Sequence, residues 1–153
     1  MNFDQVSSLM GQLGPVLNPP AIYASEEDKT WGVALTEDLT VLVEYDESKD
    51  SLVLAAELGT PPDGDRTALY ELLLRMNYHW DTTGGIRMAL DGPAGQVVQV
   101  YELATEGLEA TRLGATVTAF AETAKALREI IQRSASAPDA TPAEPTANFG
   151  MRA

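Results

Sequence analysis

Residues 67–90 read TALYELLLRMNYHWDTTGGIRMAL and decide the fold, because they run from a helix through a glycine turn into a strand. The first half is dense in leucine, which makes an apolar stripe broader than a helix on one small core requires. Residues 81–85 then favour a turn with positive φ, and the alternation from Ile86 to Leu90 is that of a strand. The segment is predicted to join two halves of one domain, with a helix that needs a second apolar partner.

One helix and three strands are predicted before this segment. Apolar residues spaced by three, four and three indicate an amphipathic helix over residues 2–13, which Gly14 and Pro15 are expected to end. Residues 16–21 are predicted to be an extended, proline-bearing connector. Strands are predicted at 31–35, 39–45 and 52–58, with spacings typical of a meander of antiparallel hairpins. One face of these strands is apolar and the other only partly polar, so we expect a second subunit or a bound chain to cover the outer face.

Two strands and a long helix are predicted after it. Asp63 or Asp65 is the expected N-cap of the helix within residues 67–90. Strands at 86–90 and 96–103 are predicted to form a hairpin. A final helix over residues 108–133 is expected to dock on the sheet through residues that repeat every three or four positions, namely Leu113, Val117, Phe120, Ala124, Leu127 and Ile131.

The predicted fold class is therefore α+β, in the order α-β-β-β-α-β-β-α, with a twisted antiparallel sheet packed by helices. The domain spans residues 1–133. Residues 134–153 (SASAPDATPAEPTANFGMRA) are rich in Ala, Pro, Ser and Thr, without an apolar pattern. They are predicted to be a disordered tail.

Composition narrows the classes of function. The formal net charge is −13, which would repel nucleic acid and anionic membranes. The charge has two interpretations, one in which it only keeps the domain soluble and one in which it serves a basic or amphipathic partner. The absence of cysteine excludes disulfides, thiolate metal sites and cysteine catalysis. The first 15 residues show no signal peptide, and no apolar run is long enough to span a membrane.

Candidate catalytic and metal-binding residues are scarce. His79 is the only histidine, and no nucleophile elbow accompanies it, so a structural or surface role is expected. Glu37 and Asp38 are adjacent in a loop and point apart, which is unsuited to shared acid and base chemistry. No carboxylates are arranged like a calcium loop. We therefore predict no catalytic residues, no metal and no cofactor, and the apolar surplus of this acidic domain indicates binding.

Three stretches carry a resemblance to a known family: 72–77 (LLLRMN), 84–91 (GGIRMALD) and the helix over 120–131. With the order of elements, the size and the acidic composition, the chain resembles the class I type III secretion chaperones of the Tir-chaperone (CesT-like) family. The resemblance implies a homodimeric, cytoplasmic chaperone that is not an enzyme and uses no ATP. It would hold the N-terminal chaperone-binding segment of a type III secreted effector in an extended, non-globular form.

The resemblance also implies two surfaces. The dimer interface would comprise Leu69, Leu72, Leu73, Met76, Ile86 and Met88. The effector-binding grooves would comprise Val6, Leu9, Met10, Leu13, Val33, Leu35, Leu42 and Val53, and alternation alone leaves open which sheet face forms them. The secretion apparatus is a further partner that the resemblance allows. The alternative is a regulatory protein-interaction domain of the same architecture, as in YbjN-like proteins.

Overall fold

The computed structural model describes residues 1–19, 21–62, 64, 66–93 and 95–136, the side chains of 134–136 excepted. Its helices and strands follow one another as α1 (Phe3–Leu17), β1 (Ala21–Ser25), β2 (Thr30–Ala34), β3 (Thr40–Asp46), β4 (Ser51–Gly59), α2 (Arg66–Tyr78), β5 (Arg87–Leu90), β6 (Val97–Ala104) and α3 (Ala110–Ser136). The α+β class is confirmed. The predicted order lacked one strand, β1.

The strands form a six-stranded antiparallel sheet in the order β1-β2-β3-β4-β6-β5. Strands β2 to β4 form the predicted meander, β1 adds a fourth strand to it, and β5 and β6 are a hairpin, as predicted. Helix α2 connects the meander to the hairpin and lies against β5. Strands β1 and β5 are therefore the two edges of the sheet.

Strand β1 was missed because its side chains carry little of the signal that predicts a strand. It directly follows the prolines of the predicted connector, and it has five residues of which Tyr23 and Ala24 are exposed. Its place in the sheet comes from backbone pairing with β2, in which Tyr23 lies opposite Gly32. A strand held mainly by backbone pairing need not show the hydrophobic alternation from which strands are predicted.

Helix α1 begins as a capped helix and ends later than predicted. The side chain of Asn2 accepts from the Gln5 N–H, and the Gln5 side chain accepts from the Asn2 N–H, which is a capping box. The helix continues past Gly14 and Pro15 and ends at Asn18, which is left-handed with a φ of 46°. The N–H of Asn18 donates to the Gly14 carbonyl at 2.8 Å.

The extra turn of α1 is explained by its packing on α3. A Cβ added at Gly114 would lie 2.6 Å from the Val16 side chain and 3.5 Å from that of Leu17. This glycine lets the last turn of α1 approach α3 closely, and packing of that turn outweighs the one backbone hydrogen bond that Pro15 removes. Proline near the end of a helix was therefore a weaker stop than the sequence suggested.

The hydrophobic core lies between one face of the sheet and the layer of α1 and α3. All six residues predicted to dock α3 are buried, from Leu113 to Ile131. Phe3 at the start of α1 stacks on Trp31 of β2, with ring centroids 5.8 Å apart. Gln99 is a buried polar side chain in this layer, and its Nε2 donates to the Phe120 carbonyl at 2.6 Å. The opposite face of the sheet is therefore left without a covering helix among the described residues.

The predicted N-cap of α2 and most of the predicted C-terminal tail lie outside the residues that the structure describes. The candidate N-caps Asp63 and Asp65 lie outside the described residues. Helix α3 continues beyond its expected end at Arg133 to Ser136, and residues 137–153 of the expected tail also lie outside the described part.

Candidate functional site

An apolar stripe crosses the sheet face that the helices leave open. Pairing between neighbouring strands places its five residues in one row, namely Tyr23, Gly32, Leu42, Ala55 and Val100. Tyr23 is 64% exposed and Leu42 is 46% exposed, although both belong to strands of the sheet. We call this row the apolar stripe. Ala55 and Val100 are half-buried and Gly32 has no side chain, so the exposed apolar surface of the row comes mainly from Tyr23 and Leu42. Exposed apolar surface of this kind on a sheet face is typical of a binding surface.

Carboxylates border the stripe on both sides. Glu44 and Glu102 lie opposite Val53 in the row on one side. On the other side is a groove of ≈ 440 Å³ with a floor that includes Leu42, Ala55 and Val98. Four acidic residues line this groove: Glu37, Asp38, Glu57 and Asp91. We call Glu44, Glu102, Asp38, Glu57 and Asp91 together the acidic border.

Arg128 of α3 holds part of the acidic border in place. Its Nε and Nη2 donate to the Glu57 carbonyl at 2.8 and 2.7 Å, and its Nη1 donates to the Asp38 carbonyl at 2.6 Å. These bonds occupy the guanidinium with backbone oxygens and fix two acidic residues beside the groove. A hydrogen bond from the Thr36 hydroxyl, at 2.6 Å, is the main cause that lowers the pKa of Asp38 below its ordinary value. Asp38 is therefore ionised at neutral pH.

A second groove lies between α2 and the edge strand β5. It encloses ≈ 320 Å³ and is lined by Tyr70, Leu73, Leu74, Asn77, Met88, Ala89 and Leu90. Leu74 is 68% exposed and Leu90 is also exposed. Among the residues that the structure describes, none of those lining this groove is charged. We call it the α2–β5 groove.

Asn77 joins the two sides of this groove. Its Nδ2 donates to the Met88 carbonyl at 2.9 Å, and its Oδ1 accepts from the Met88 N–H at 2.7 Å. One side-chain amide thus satisfies both backbone groups that Met88 turns away from β6, as a neighbouring strand would. The two edges of the sheet differ as a result. Over the described residues, β1 pairs with β2 alone and has no such cap.

Comparison with known proteins identifies this architecture. The family model described as the Tir chaperone protein (CesT) family matches residues 18–128, which is most of the chain from the end of α1 into the second half of α3. The chain belongs to the Tir chaperone protein (CesT) family. No curated protein matches the chain in sequence.

Solved structures share the fold of this CesT-family chain. A chain of the ExsC–ExsE complex is 16% identical with a TM-score of 0.71, covering 90% of this chain and 97% of its own length. A chain of the HopA1–SchA chaperone–effector complex is 16% identical with a TM-score of 0.64, covering 81% and 93%. A chain of the complex of the Yersinia pestis type III secretion chaperone SycH with a fragment of YscM2 is 25% identical with a TM-score of 0.61, covering 79% and 98%.

Five of the residues proposed for effector binding lie inside the hydrophobic core of this CesT-family chain. Val6, Leu9, Met10 and Leu13 are the buried face of α1, and Val33 is buried beneath α1 and α3. The physical reason is that the apolar stripe of an amphipathic helix on a small domain faces its own core. Four of the five are at most 1% exposed, whereas Leu9, at 6%, lines an open groove of ≈ 460 Å³ beside Gln5 and Leu108. Leu35 and Val53 are half-buried, and Leu42 is exposed in the apolar stripe.

The residues proposed for the dimer interface are divided in a similar way. Leu73 and Met88 line the α2–β5 groove, and Leu69 is buried in the core. Met76 and Ile86 are half-buried, and Leu72 is exposed but does not line the groove. Sequence reasoning missed the exposed Leu74 and the bridging Asn77. The signal for Leu74 was present, since three consecutive leucines cannot all face one core.

The single histidine does not join a reactive cluster. His79 is exposed and packs edge-on against Tyr78, with ring centroids 5.3 Å apart. Within the described ranges no three His, Cys, Asp or Glu side chains are grouped so as to hold a metal ion. No helix there is long and apolar enough to cross a membrane.

Proposed function

We propose that this chain is a type III secretion chaperone, which binds the N-terminal chaperone-binding segment of a secreted effector and keeps it extended and soluble. The observation that carries the proposal is the exposed apolar stripe beside the uncapped edge strand β1. The membership in the CesT family supports it, as does the shared fold with chains of complexes such as HopA1–SchA, a chaperone–effector complex. The family match favours this function over a YbjN-like regulatory domain.

The proposed mechanism is physical. An effector segment lays apolar side chains on the stripe, and each buried leucine or isoleucine contributes about 1.5–3 kcal/mol by leaving water. A second part of the segment pairs its backbone with the open edge of β1, which adds affinity without requiring a fixed sequence. While it is bound, the segment neither collapses nor aggregates. No covalent step is involved, so we propose a protein that is not an enzyme and needs neither ATP nor a cofactor.

We also propose that the chaperone acts as a homodimer through the α2–β5 groove. The lining is apolar and includes the exposed Leu74 and Leu90, and a second copy is an occupant that can cover it. Leu73 and Met88 of the predicted interface would take part from the floor of this groove. Each copy would then keep its apolar stripe free for effector. We place the dimer in the cytoplasm, where an effector is held before export.

The test is capture of an effector by co-expression. The chain is co-expressed with the N-terminal segments of proteins that its own host secretes, and the segment that co-purifies is recorded. Leu42→Asp places a charge in the centre of the stripe, where a bound apolar side chain would leave it unpaired. We expect the captured amount to fall at least about tenfold.

The control variant is Ala126→Asp, an exposed position on α3 away from the sheet's open face. It introduces the same charge, and we expect capture to be unchanged. Equal capture by Leu42→Asp and by the unmodified chain would place the binding surface elsewhere. Failure to retain any secreted segment would remove the proposed function itself.

A further inference from the structure

The long axis of the exposed apolar surface runs across the strands. Along each of the central strands the outward-facing apolar residues are few, because a glutamate ends the row: Glu44 in β3, Glu57 in β4 and Glu102 in β6. Across the strands the stripe is continuous from Tyr23 in β1 to Val100 in β6. Four steps between neighbouring strands of about 4.8 Å each give a length of about 19 Å.

This direction and length select the shape of the bound segment. A strand added at the edge would lie along β1, at right angles to the stripe, and would leave most of the stripe uncovered. A helix that rises 1.5 Å per residue covers about 19 Å with about 13 residues. Its apolar face would need side chains at spacings of three and four to follow the row. The stripe therefore fits an amphipathic helix lying across the sheet.

The charges beside the stripe select the chemistry of that helix. The acidic border places carboxylates on both flanks, where the polar face of a helix on the stripe begins. Four cations of the described chain lie close by: Lys125 acts on Asp38, Arg87 ends the row in β5, and Arg128 and Lys49 each form an ion pair with a carboxylate of the acidic border. Arg128 donates to backbone carbonyls, and the Nζ of Lys49 lies 3.6 Å from Asp46 and 3.7 Å from Glu102. Asp38 and Glu102 thus have partners already, but no ion pair among the described residues involves Glu44, Glu57 or Asp91, and a basic segment would supply one.

The same charges argue against a second copy of this chain on the stripe. The chain has a formal net charge of −13, so two acidic borders would repel each other. The α2–β5 groove has no charged lining residue in the part of the chain that the structure describes. A second copy is therefore suited to the α2–β5 groove and a cationic partner to the stripe.

We propose that the stripe and its acidic border bind a cationic amphipathic helix of about 13 residues, in which lysine or arginine flanks the apolar face on both sides. This deepens the proposed function and rests on it, because the helix is part of the effector segment. Arg87 lies opposite Val100 at the β5 end of the row. The basic residues of the helix accordingly contact Glu44 of β3, Glu57 of β4 and Glu102 of β6, and the end of the helix over Arg87 carries none.

The test uses two fluorescent synthetic peptides and the full chain. Both peptides have the same leucines at spacings of three and four over about 13 residues, and they differ in whether lysine or glutamate flanks the leucines. Fluorescence anisotropy gives their dissociation constants. We expect the lysine peptide to bind at least about tenfold more tightly at low salt, and this ratio to shrink as salt screens the charges.

Two double variants with the same change in charge complete the test. Glu44→Lys with Glu57→Lys alters two exposed side chains of the acidic border, and we expect it to remove or reverse the preference for the lysine peptide. Glu26→Lys with Glu27→Lys alters the exposed turn between β1 and β2, and we expect the preference to remain. Equal binding of the two peptides, or a preference that follows net charge in both variants, would overturn the proposal, as would binding of neither peptide.

The two proposals fail in different ways. If Leu42→Asp abolishes capture of the effector segment while Glu44→Lys with Glu57→Lys leaves it unchanged, the chaperone function stands and the cationic helix is wrong. If Leu42→Asp leaves capture unchanged, the effector does not bind the apolar stripe, and both the proposed function and the cationic helix are assigned to the wrong surface. A peptide that binds the unmodified chain and the Leu42→Asp variant equally well lies off the stripe and contradicts the inference directly.

Discussion

Asn77 shows how one side chain decides what an edge of the sheet can do. Its amide donates to the carbonyl of Met88 and accepts from its N–H, so it takes the place of a paired strand. A strand edge without such a cap is a template for another chain. We infer that Asn77 reserves β5 for packing against α2 and leaves strand addition to β1.

Replacing Asn77 by alanine removes both hydrogen bonds and leaves the Met88 backbone groups without this partner. We expect the free energy of unfolding to fall by roughly 1–3 kcal/mol, measured by urea denaturation at one fixed protein concentration. Glu71→Ala changes an exposed side chain on the same helix and is the matched control. Equal stability of the two variants would show that the amide does not hold β5.

The residues of the functional site were harder to predict than the elements that carry them. Leu42 was correctly expected on an apolar outer face, because alternation in β3 assigns it to the side opposite Val41 and Val43. Alternation cannot say which of two faces the helices cover, so the sequence left the groove face open for Val33, and the structure buries that side chain. Tyr23 was not predicted as a site residue, because it lies in β1, the strand that the sequence pattern did not predict. The alignment of Tyr23 with Leu42 through Gly32 depends on register, which the sequence of single strands does not contain.

At the scale of elements, the strongest patterns were predicted best. The long helix and the hairpin of β5 and β6 are confirmed because a long periodic run or a glycine turn specifies each one locally. The end of α1 and the existence of β1 depend on contacts between distant parts of the chain. Gly114 accommodates the last turn of α1, and backbone pairing with β2 forms β1. Contacts of this kind leave no local trace in the sequence.

Helix α2 carries a prediction about assembly. Leu74 is exposed in the described chain and lines the α2–β5 groove, so Leu74→Asp should not disturb the core. Within a dimer the new carboxylate would be buried without a partner, and we expect a monomer. Light scattering coupled to size exclusion gives the mass, and far-ultraviolet circular dichroism checks that the fold is retained.

Ala126→Asp on the exposed side of α3 is the control for this variant and should remain dimeric. A Leu74→Asp chain that keeps the mass of two copies would exclude the α2–β5 groove as the dimer interface. A chain that loses its helical spectrum would instead show that Leu74 supports the fold.

The whole molecule separates two kinds of contact by charge. One surface, the α2–β5 groove, is apolar with no charged lining residue among those described, and suits an identical acidic partner. The other is an apolar stripe between carboxylates, and suits a cationic one. Under the proposed function part of the net charge of −13 contributes to binding, because it lies beside the surface proposed to bind effector.

Hydrogen exchange of the chain, free and bound to a captured effector segment, tests the central claim most directly. We expect slower exchange of the amides of β1 (Ala21–Ser25) in the complex, because the effector segment is proposed to pair with this edge. We expect no change for β5 (Arg87–Leu90), because Asn77 bonds to its outer edge and the proposed second copy would cover it. Protection confined to β5 or to the outer surface of α1 and α3, with β1 unchanged, would contradict the central claim.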